Sequence, residues 1–375
     1  MKNKKIAFIR PAAYPLPNKI LPGVLGKVFP EYYIDVIDMK AILKAQPMIF
    51  AINMLAMTFE YGTKLAAKLM TRGEAFNTTS YLNTKIGELV REHIKSGEYI
   101  FTFQIQSLFD ASTDLVPHFV YTDHTHLARL NYPGFDKHKL RSKKWIKMER
   151  GIYEHAALTF TRSSNISKSL VEQYNISPGK VVVTGVGSNL DTRDIHLDND
   201  DYHNKNILFV GIDWERKGGP DLINAFQKVV NKHPDARLTI VGCSPELHSL
   251  NCETTGKVPD GEMGQYFRKA SIFCLPTKME PFGVAFIDAL YYKLPIVATN
   301  IGAIPDFVKP GENGYLVEPG DVEGLVRYLD ILLSDPLKCR TFGERGYDLA
   351  IANYSWDGVA EKMSCAIRKN IPLPQ

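Results

Sequence analysis

Apolar residues along this chain fall into two kinds of stretch that alternate. Short continuous runs rich in β-branched or aromatic residues are separated by longer stretches with apolar positions at helical spacing. The runs predict strands at residues 5–9, 33–37, 99–103, 118–122, 158–161 and 180–184. In the second half they predict strands at 206–210, 236–241, 272–275, 296–298 and 314–317. Helical spacing predicts helices over 221–233, 261–270, 283–292 and 322–333. Continuous apolar strands alternating with helices imply parallel sheets covered on both faces. The pattern breaks once, at 187–204, where Asp191, Asp194, Asp198, Asn199, Asp200 and Asp201 crowd together as in an interdomain linker. The expected fold is therefore α/β, with two doubly wound Rossmann-like domains. They occupy residues 1–187 and 205–353, joined by a linker at 188–204, and residues 354–375 are a candidate helix for packing back on the first domain. Open α/β sheets bind ligands at the C-terminal ends of their strands, and two such sheets are expected to face a deep cleft.

Composition changes this picture little. The chain has 375 residues, 45% of them hydrophobic and 23% charged, as in ordinary soluble globular proteins. The basic start (Lys2, Lys4, Lys5) is followed by only four apolar residues before Arg10, whereas a signal peptide needs about 7–15. Residues 48–59 are the best candidate for membrane insertion. They contain Asn53 and end at Glu60, short of the roughly 20 apolar residues of a spanning helix. A buried or surface-lying helix is expected there. The five cysteines (Cys243, Cys252, Cys274, Cys339, Cys365) are scattered, with no CxxC pair, which suits reduced thiols in a cytoplasmic protein and no structural zinc.

Charge adds an asymmetry. Residues 1–185 carry 25 Lys and Arg against 15 Asp and Glu, while the remainder is net acidic. The most basic stretch runs from Lys137 through Lys139, Arg141, Lys143, Lys144 and Lys147 to Arg150. A solvated helix face accounts for it most simply, and an anionic membrane surface or acceptor is the functional alternative. No nucleic-acid-binding motif accompanies the charge.

Three clusters carry chemistry. In Phe209-Val-Gly211-Ile-Asp-Trp-Glu-Arg216-Lys217-Gly218-Gly219 a strand runs through a glycine loop and two cations into a helix start. Free amides, the helix dipole and charge-assisted hydrogen bonds there suit a diphosphate; a solvated turn with two surface cations is the plainer reading. Leu238-Thr-Ile-Val-Gly242-Cys243-Ser244 is a second strand ending in small residues, with Cys243 read as a packed thiol and not a nucleophile. The third cluster is Glu280-Pro-Phe-Gly283-Val-Ala-Phe-Ile-Asp288. It sets Glu280 before a helix start, beside the amides of Phe282, Gly283 and Val284, and puts Asp288 within the helix. Two carboxylates with amide donors suit a sugar, its diphosphate and a ribose; alone they read equally as a capping glutamate and a helical aspartate.

In this order the clusters resemble the retaining family-4 glycosyltransferases of GT-B fold, also called glycosyl transferases group 1. Ala298-Thr-Asn-Ile-Gly302-Ala-Ile-Pro305-Asp306 and the stretch from Gly311 to Asp321 are similar to the family's closing signature. The likeness covers roughly residues 145–360 well and the first 100 residues poorly. It implies a nucleotide-sugar-dependent hexosyltransferase acting with retention, with no metal and no bound cofactor. The donor, a UDP- or GDP-hexose, is a cosubstrate. Arg216, Lys217 and Gly211 would hold its diphosphate; Glu280, Phe282, Gly283, Val284 and Asp288 its sugar and ribose. Lys257 and Val258 would lie beside the base. Tyr121-Thr-Asp-His124-Thr-His126 resembles the family's Thr-x-His-Thr element, which assigns His124 beside Glu280 to the catalytic centre; a satisfied structural histidine is the bland alternative for His124 or His126.

The chain departs from the family at three points. Asp288 stands where a glutamate is usual and reaches one methylene less. Ile212 replaces the arginine after the first-strand glycine, with Arg216 as substitute. Arg10-Pro-Ala-Ala-Tyr-Pro replaces a Gly-Gly loop on the acceptor side. The expected acceptor is a glycan or a lipid-linked glycan of surface polysaccharide or glycolipid assembly, with the protein cytoplasmic and peripheral on the inner membrane face. The alternatives are a non-catalytic nucleotide-sugar-binding partner subunit and a GT-B epimerase or phosphorylase relative, though no segment resembles a pyridoxal-binding lysine site.

Overall fold

The structure, a computed structural model, describes residues 4–13, 16–95, 97–190, 201–247 and 251–371. Most of the linker expected at 188–204 lies outside the described residues, as do Tyr14 and Pro15 of the loop after the first strand. The chain separates into two compact units. Unit 1 runs to Gly185 and takes up the chain again from Val359; unit 2 is Val186–Gly358.

Among the described residues, unit 1 holds one six-stranded sheet, entirely parallel, built from β1 (Lys5–Arg10), β2 (Tyr33–Asp38), β3 (Tyr99–Ile105), β4 (His118–Thr122), β5 (Leu158–Thr161) and β6 (Val181–Val183). The order across it is β2-β1-β3-β4-β5-β6. Between the strands run α1 (Pro17–Val28), α2 (Met39–Lys44), α3 (Pro47–Ala66), α4 (Arg72–Asn77), α5 (Ser80–Lys95), α6 (Lys143–His155) and α7 (Ser164–Glu172). The core is aromatic: Phe8 stacks on Phe103, Phe103 on Phe160, and Phe101 meets Phe119 edge to face. These rings come from strands buried on both faces, which is why the sequence shows unbroken apolar runs there.

Unit 2 repeats the plan with β7 (Asn206–Val210), β8 (Arg237–Val241), β9 (Cys252–Thr254), β10 (Ile272–Leu275), β11 (Ile296–Thr299) and β12 (Gly314–Val317). Its helices are α8 (Gly219–Val230), α9 (Met263–Arg268), α10 (Val284–Tyr291), α11 (Ile304–Phe307), α12 (Val322–Ser334) and α13 (Pro336–Asn353). The order is β12-β11-β10-β7-β8-β9, again all parallel. From β7 the chain proceeds outward through β8 and β9, then returns to place β10 on the other side of β7. The sheet therefore has its topological switch point between the C-terminal ends of β7 and β10, where an open α/β sheet leaves a crevice for ligand.

The expected strands all appear, within a residue or two at their ends. The sequence did not announce β9, because Cys-Glu-Thr is short and half exposed and offers no apolar run. The helix expected over 261–270 is one turn and a half, α9, after a 3-10 turn at Asp260–Glu262. A last helix, α14 (Trp356–Arg368), is shared. In unit 2 the Trp356 indole N–H donates to Ser188 O at 2.9 Å. In unit 1 Arg368 donates to Glu31 at 2.7 Å and to Val28 O at 2.8 Å, with its guanidinium over Phe29.

Candidate functional site

The site in unit 2 grows from the loop after β7. Gly211 continues the ladder by donating to Val241 O at 2.8 Å, and a Cβ on Gly211 would press on the Lys217 side chain at 2.9 Å. Asp213 turns the loop: its carboxylate accepts from Arg216 N at 3.1 Å and its carbonyl from Lys217 N at 2.9 Å. Gly218 then adopts φ +76°, and a Cβ there would sit 1.9 Å from Pro276 O. Only glycine fits, because the conformation is left-handed and backbone of the β10 loop fills the space. Helix α8 starts at Gly219 with Pro220 in its first turn and no side-chain cap. Its first amides therefore point toward the switch point with the positive end of the helix dipole.

The loop after β10 closes over this turn. Arg216 O accepts from Lys278 N at 2.8 Å and from Thr277 Oγ1 at 3.2 Å. The Arg216 guanidinium donates to Met279 O at 2.9 Å and pairs with Asp213 at 3.2 Å. Lys217 Nζ forms a direct ion pair with Glu280, both side chains largely buried. Sixty-three positions apart in sequence, Lys217 and Glu280 are thus brought into contact. The two cations divide the work: Arg216 pins the β10 loop to the β7 loop, and Lys217 is held against the glutamate at the crevice. A buried pair of this kind is a poor source of stability but a well-placed charge reservoir, since a ligand anion can take over the lysine.

After Glu280 the chain enters α10 through Gly283, at φ +91°, where a Cβ would lie 2.6 Å from the Phe286 ring. This helix also starts without a side-chain cap. The Phe282 ring is buried against Phe307 and Tyr354, so only its backbone can face a ligand. Gly283 and Val284 are half-buried at the same edge. The loops after β8 and β9 join this edge through the backbone, with Gly242 N donating to Gly256 O at 2.8 Å. Lys257 is exposed and Val258 half-buried, just beyond Gly256. Cys243 is half-buried, and burial, with Asp213 nearby, raises its thiol pKa, which disfavours a thiolate. Ile212 is exposed beside Gly211.

Asp288 lies elsewhere on α10. It is buried, and its Oδ1 accepts from Ser188 Oγ at 2.6 Å and from Asn189 N at 3.1 Å. Burial pushes its carboxyl up to about 7, against the lowering effect of those bonds and of the Leu190 amide. The second acid of the motif thus holds the chain segment at 188–190.

In unit 1 the candidate histidine follows β4. Its carbonyl accepts from Thr122 Oγ1 at 2.7 Å, its ring lies near Tyr132, and its Nδ1 is buried with no hydrogen-bond partner. Burial lowers the His124 pKa to about 4, with Arg129 and Arg141 adding to the effect and Asp123 opposing it, so the ring is neutral at physiological pH. His126 is the satisfied one: its Nε2 accepts from Arg141 N at 2.8 Å and its ring meets Trp145 edge to face. The distinction between the two histidines, open at the level of sequence, is geometric. Arg10, in place of a Gly-Gly loop, pairs with Asp38 at 3.2 Å and donates to Asn18 O at 3.1 Å.

Two features of unit 1 escaped the sequence reading. Arg162, directly after β5, is buried over the Tyr121 ring and pairs with Asp123 at 3.4 Å. Its position at a strand end was the available signal. Glu149, buried in α6, accepts from His126 N at 3.0 Å and from Tyr153 at 3.3 Å and is bonded by Tyr174; burial raises it to about 7. Nothing in the local pattern of α6 marks it. Among the described residues no three His, Cys, Asp or Glu side chains are grouped to hold a metal ion.

Comparisons with known proteins agree on the family. Residues 194–349 match the family model described as Glycosyl transferases group 1. The MMP alpha-(1->4)-mannosyltransferase of Mycolicibacterium hassiacum is 26% identical over 248 residues, covering 61% of this chain and 59% of that protein. The chain spans about half the length of the curated relatives it matches. Among solved structures, the sucrose-phosphate synthase of Thermosynechococcus elongatus superposes with a TM-score of 0.71 at 17% identity over 98% of both chains. HepE of Anabaena, in complex with UDP and glucose, gives 0.63 at 13% identity over 97% of this chain and 99% of that one. The α/β fold with two parallel-sheet units is the GT-B fold of these glycosyltransferases. Over residues 194–349, which contain the Lys217–Glu280 pair and both uncapped helix starts, the chain is similar to the glycosyl transferases group 1.

Proposed function

We propose that this protein moves a hexosyl group from a nucleoside diphosphate sugar, UDP- or GDP-linked, to an acceptor hydroxyl with retention of anomeric configuration, in surface polysaccharide or glycolipid assembly. The observation that carries this reading is the Lys217–Glu280 pair at the switch point of the unit 2 sheet, between two helix N-termini with no side-chain cap. A diphosphate placed there gains the α8 and α10 dipoles and the lysine charge at the position where negative charge grows as the glycosidic bond breaks. Glu280, released from Lys217 by that anion, accepts hydrogen bonds from donor-sugar hydroxyls. The amides of Phe282, Gly283 and Val284 complete the donor contacts. Arg216 acts through the loop it pins, with its own guanidinium already engaged by Met279 O and Asp213. Lys257 and Val258 flank the base, and Gly211 leaves room for the phosphates. Ribose hydroxyls reach Asp288 by displacing Ser188 or by using its second oxygen. His124, neutral and with an unpartnered Nδ1, offers unit 1 a hydrogen-bonding group for a sugar hydroxyl.

No metal enters this scheme, because Lys217 and the helix amides supply the stabilisation that a cation would otherwise give. A proton-NMR time course with UDP-glucose and GDP-mannose tests the proposal. The expected first product keeps the α configuration of the donor, and nucleoside diphosphate accumulates with it. A β product would overturn retention. Tight nucleotide binding with no turnover would instead favour the non-catalytic partner subunit.

A further inference from the structure

Helix α3 is 20 residues long and carries only two charged side chains, Glu60 and Lys64. Both are occupied beside the helix. Glu60 accepts from Ser80 N and Oγ at 2.8 Å and is bonded by Ser142; Lys64 donates to His138 O at 2.9 Å and to Leu140 O. The inner face is packed and satisfied: Asn53 donates to Phe76 O at 2.8 Å, Tyr61 to Thr78 O at 2.8 Å, and Phe50 stacks on Phe76. The outer face is apolar instead of polar. Met48, Ile52, Leu55 and Phe59, spaced four, three and four residues apart, are 70, 43, 64 and 90% exposed, and Met54 beside them is 53% exposed. Such a stripe of large side chains on one side of a helix facing water marks a binding surface.

What borders this stripe identifies the occupant. The hydrogen bonds from Lys64 and Ser142 dock the segment 138–142 against the C-terminal half of α3. That segment belongs to the most basic stretch of the chain, in which Lys137, Lys139, Lys143, Lys144 and Lys147 are all exposed. At the two ends of α3 in the chain, Lys40 and Lys44 of α2 before it and Lys68 and Arg72 after it are exposed as well. Two features about 80 residues apart in sequence thus form one surface, an uncharged stripe with a lysine rim. A second copy of this chain seated symmetrically on the same stripe would bring lysine rim against lysine rim, which is unfavourable. An anionic bilayer fits both parts: Phe, Leu, Ile and Met enter the headgroup–acyl boundary, and the lysines meet lipid phosphates. No helix among the described residues is long and apolar enough to cross a membrane, so α3 would lie in the interface plane.

We propose that the outer face of α3, with the lysines of 137–147, docks unit 1 on an anionic phospholipid surface. The proposal rests on this surface alone and is independent of the donor site in unit 2. Vesicle flotation with the full chain tests it, comparing phosphatidylcholine vesicles with vesicles of phosphatidylglycerol and phosphatidylcholine. The chain is expected to float with the phosphatidylglycerol vesicles at low salt, weakly with phosphatidylcholine alone, and to be released by high salt. Leu55→Gln with Phe59→Gln should lower the bound fraction at least about tenfold. These side chains point outward, so the variant should unfold at the wild-type temperature. Lys143→Glu with Lys144→Glu and Lys147→Glu should remove the preference for phosphatidylglycerol without touching the stripe. Wild-type chain left unfloated with either vesicle would overturn the proposal. So would a Leu55/Phe59 variant that floats like wild type, or self-association abolished by Phe59→Gln in a chain that binds no vesicle. Nucleotide-sugar hydrolysis reports separately on unit 2, so failure of one reading leaves the other standing.

Discussion

Glu280 and Lys217 neutralise each other before any ligand arrives, and this sets what their replacement should do. Lys217→Ala leaves a mostly buried carboxylate without its counter-charge and takes a cation from the leaving diphosphate. Turnover should fall about 100-fold or more, with a smaller change in stability. Glu280→Gln keeps the shape and removes the charge, so it should weaken donor-sugar contacts while leaving nucleoside diphosphate binding close to wild type, as titration calorimetry can show. Asp288 makes a different kind of prediction. Its carboxyl is raised by burial from 3.8 to about 7, so in the folded state it holds a proton that the unfolded chain gives up. That contribution is complete below about pH 4 and declines as pH rises through about 7. Denaturant unfolding should therefore show unit 2 losing about 1–3 kcal/mol between roughly pH 5 and pH 8, and Asp288→Asn should flatten the loss. A wild-type profile that rises over that interval would contradict the assignment. The sequence showed both acids of the motif but not their separate fates, because the partners of Asp288, Ser188 and Asn189, are 100 and 99 positions away.

At the scale of elements, the strand–loop–helix turns at Gly218 and Gly283 carry the site. Both glycines sit at positive φ where a side chain would meet backbone or packed rings. Gly218→Ala should lower the thermal midpoint of unfolding by an amount equivalent to about 2–3 kcal/mol and should remove donor binding, because the added Cβ pushes the β10 loop away from Arg216. A variant that melts like wild type would mean that the turn relaxes freely. The strands around these turns were legible because they are buried on both faces and so are continuously apolar. Short or exposed elements such as β9 were not, since nothing in their composition separates them from loop. Helix α3 shows the complementary limit. Its uncharged run at 48–59 was visible in sequence, but not its full length, nor whether it would be buried or surface-lying, because a stripe of Met, Ile, Leu and Phe reads the same whether it meets a core or a membrane.

For the whole molecule, the order of the strands explains more than any single motif. Running out to β9 and returning beside β7 brings the loops of Lys217 and Glu280 together, so the motif order along the chain becomes one site in space. The family resemblance foretold the GT-B fold from the second half of the chain. Unit 1 holds what the sequence concealed: the Arg162–Asp123 pair, the buried Glu149 and the apolar, lysine-rimmed face of α3. The central claim is that the switch point of unit 2 binds and activates a nucleotide-sugar donor. Its most direct test is the rate of nucleoside diphosphate release from a panel of UDP- and GDP-hexoses by wild type and Lys217→Ala. The account predicts release from at least one donor by wild type and a fall of about 100-fold or more in the variant. Equal rates in the two proteins, or turnover of a sugar 1-phosphate with no nucleotide present, would contradict it.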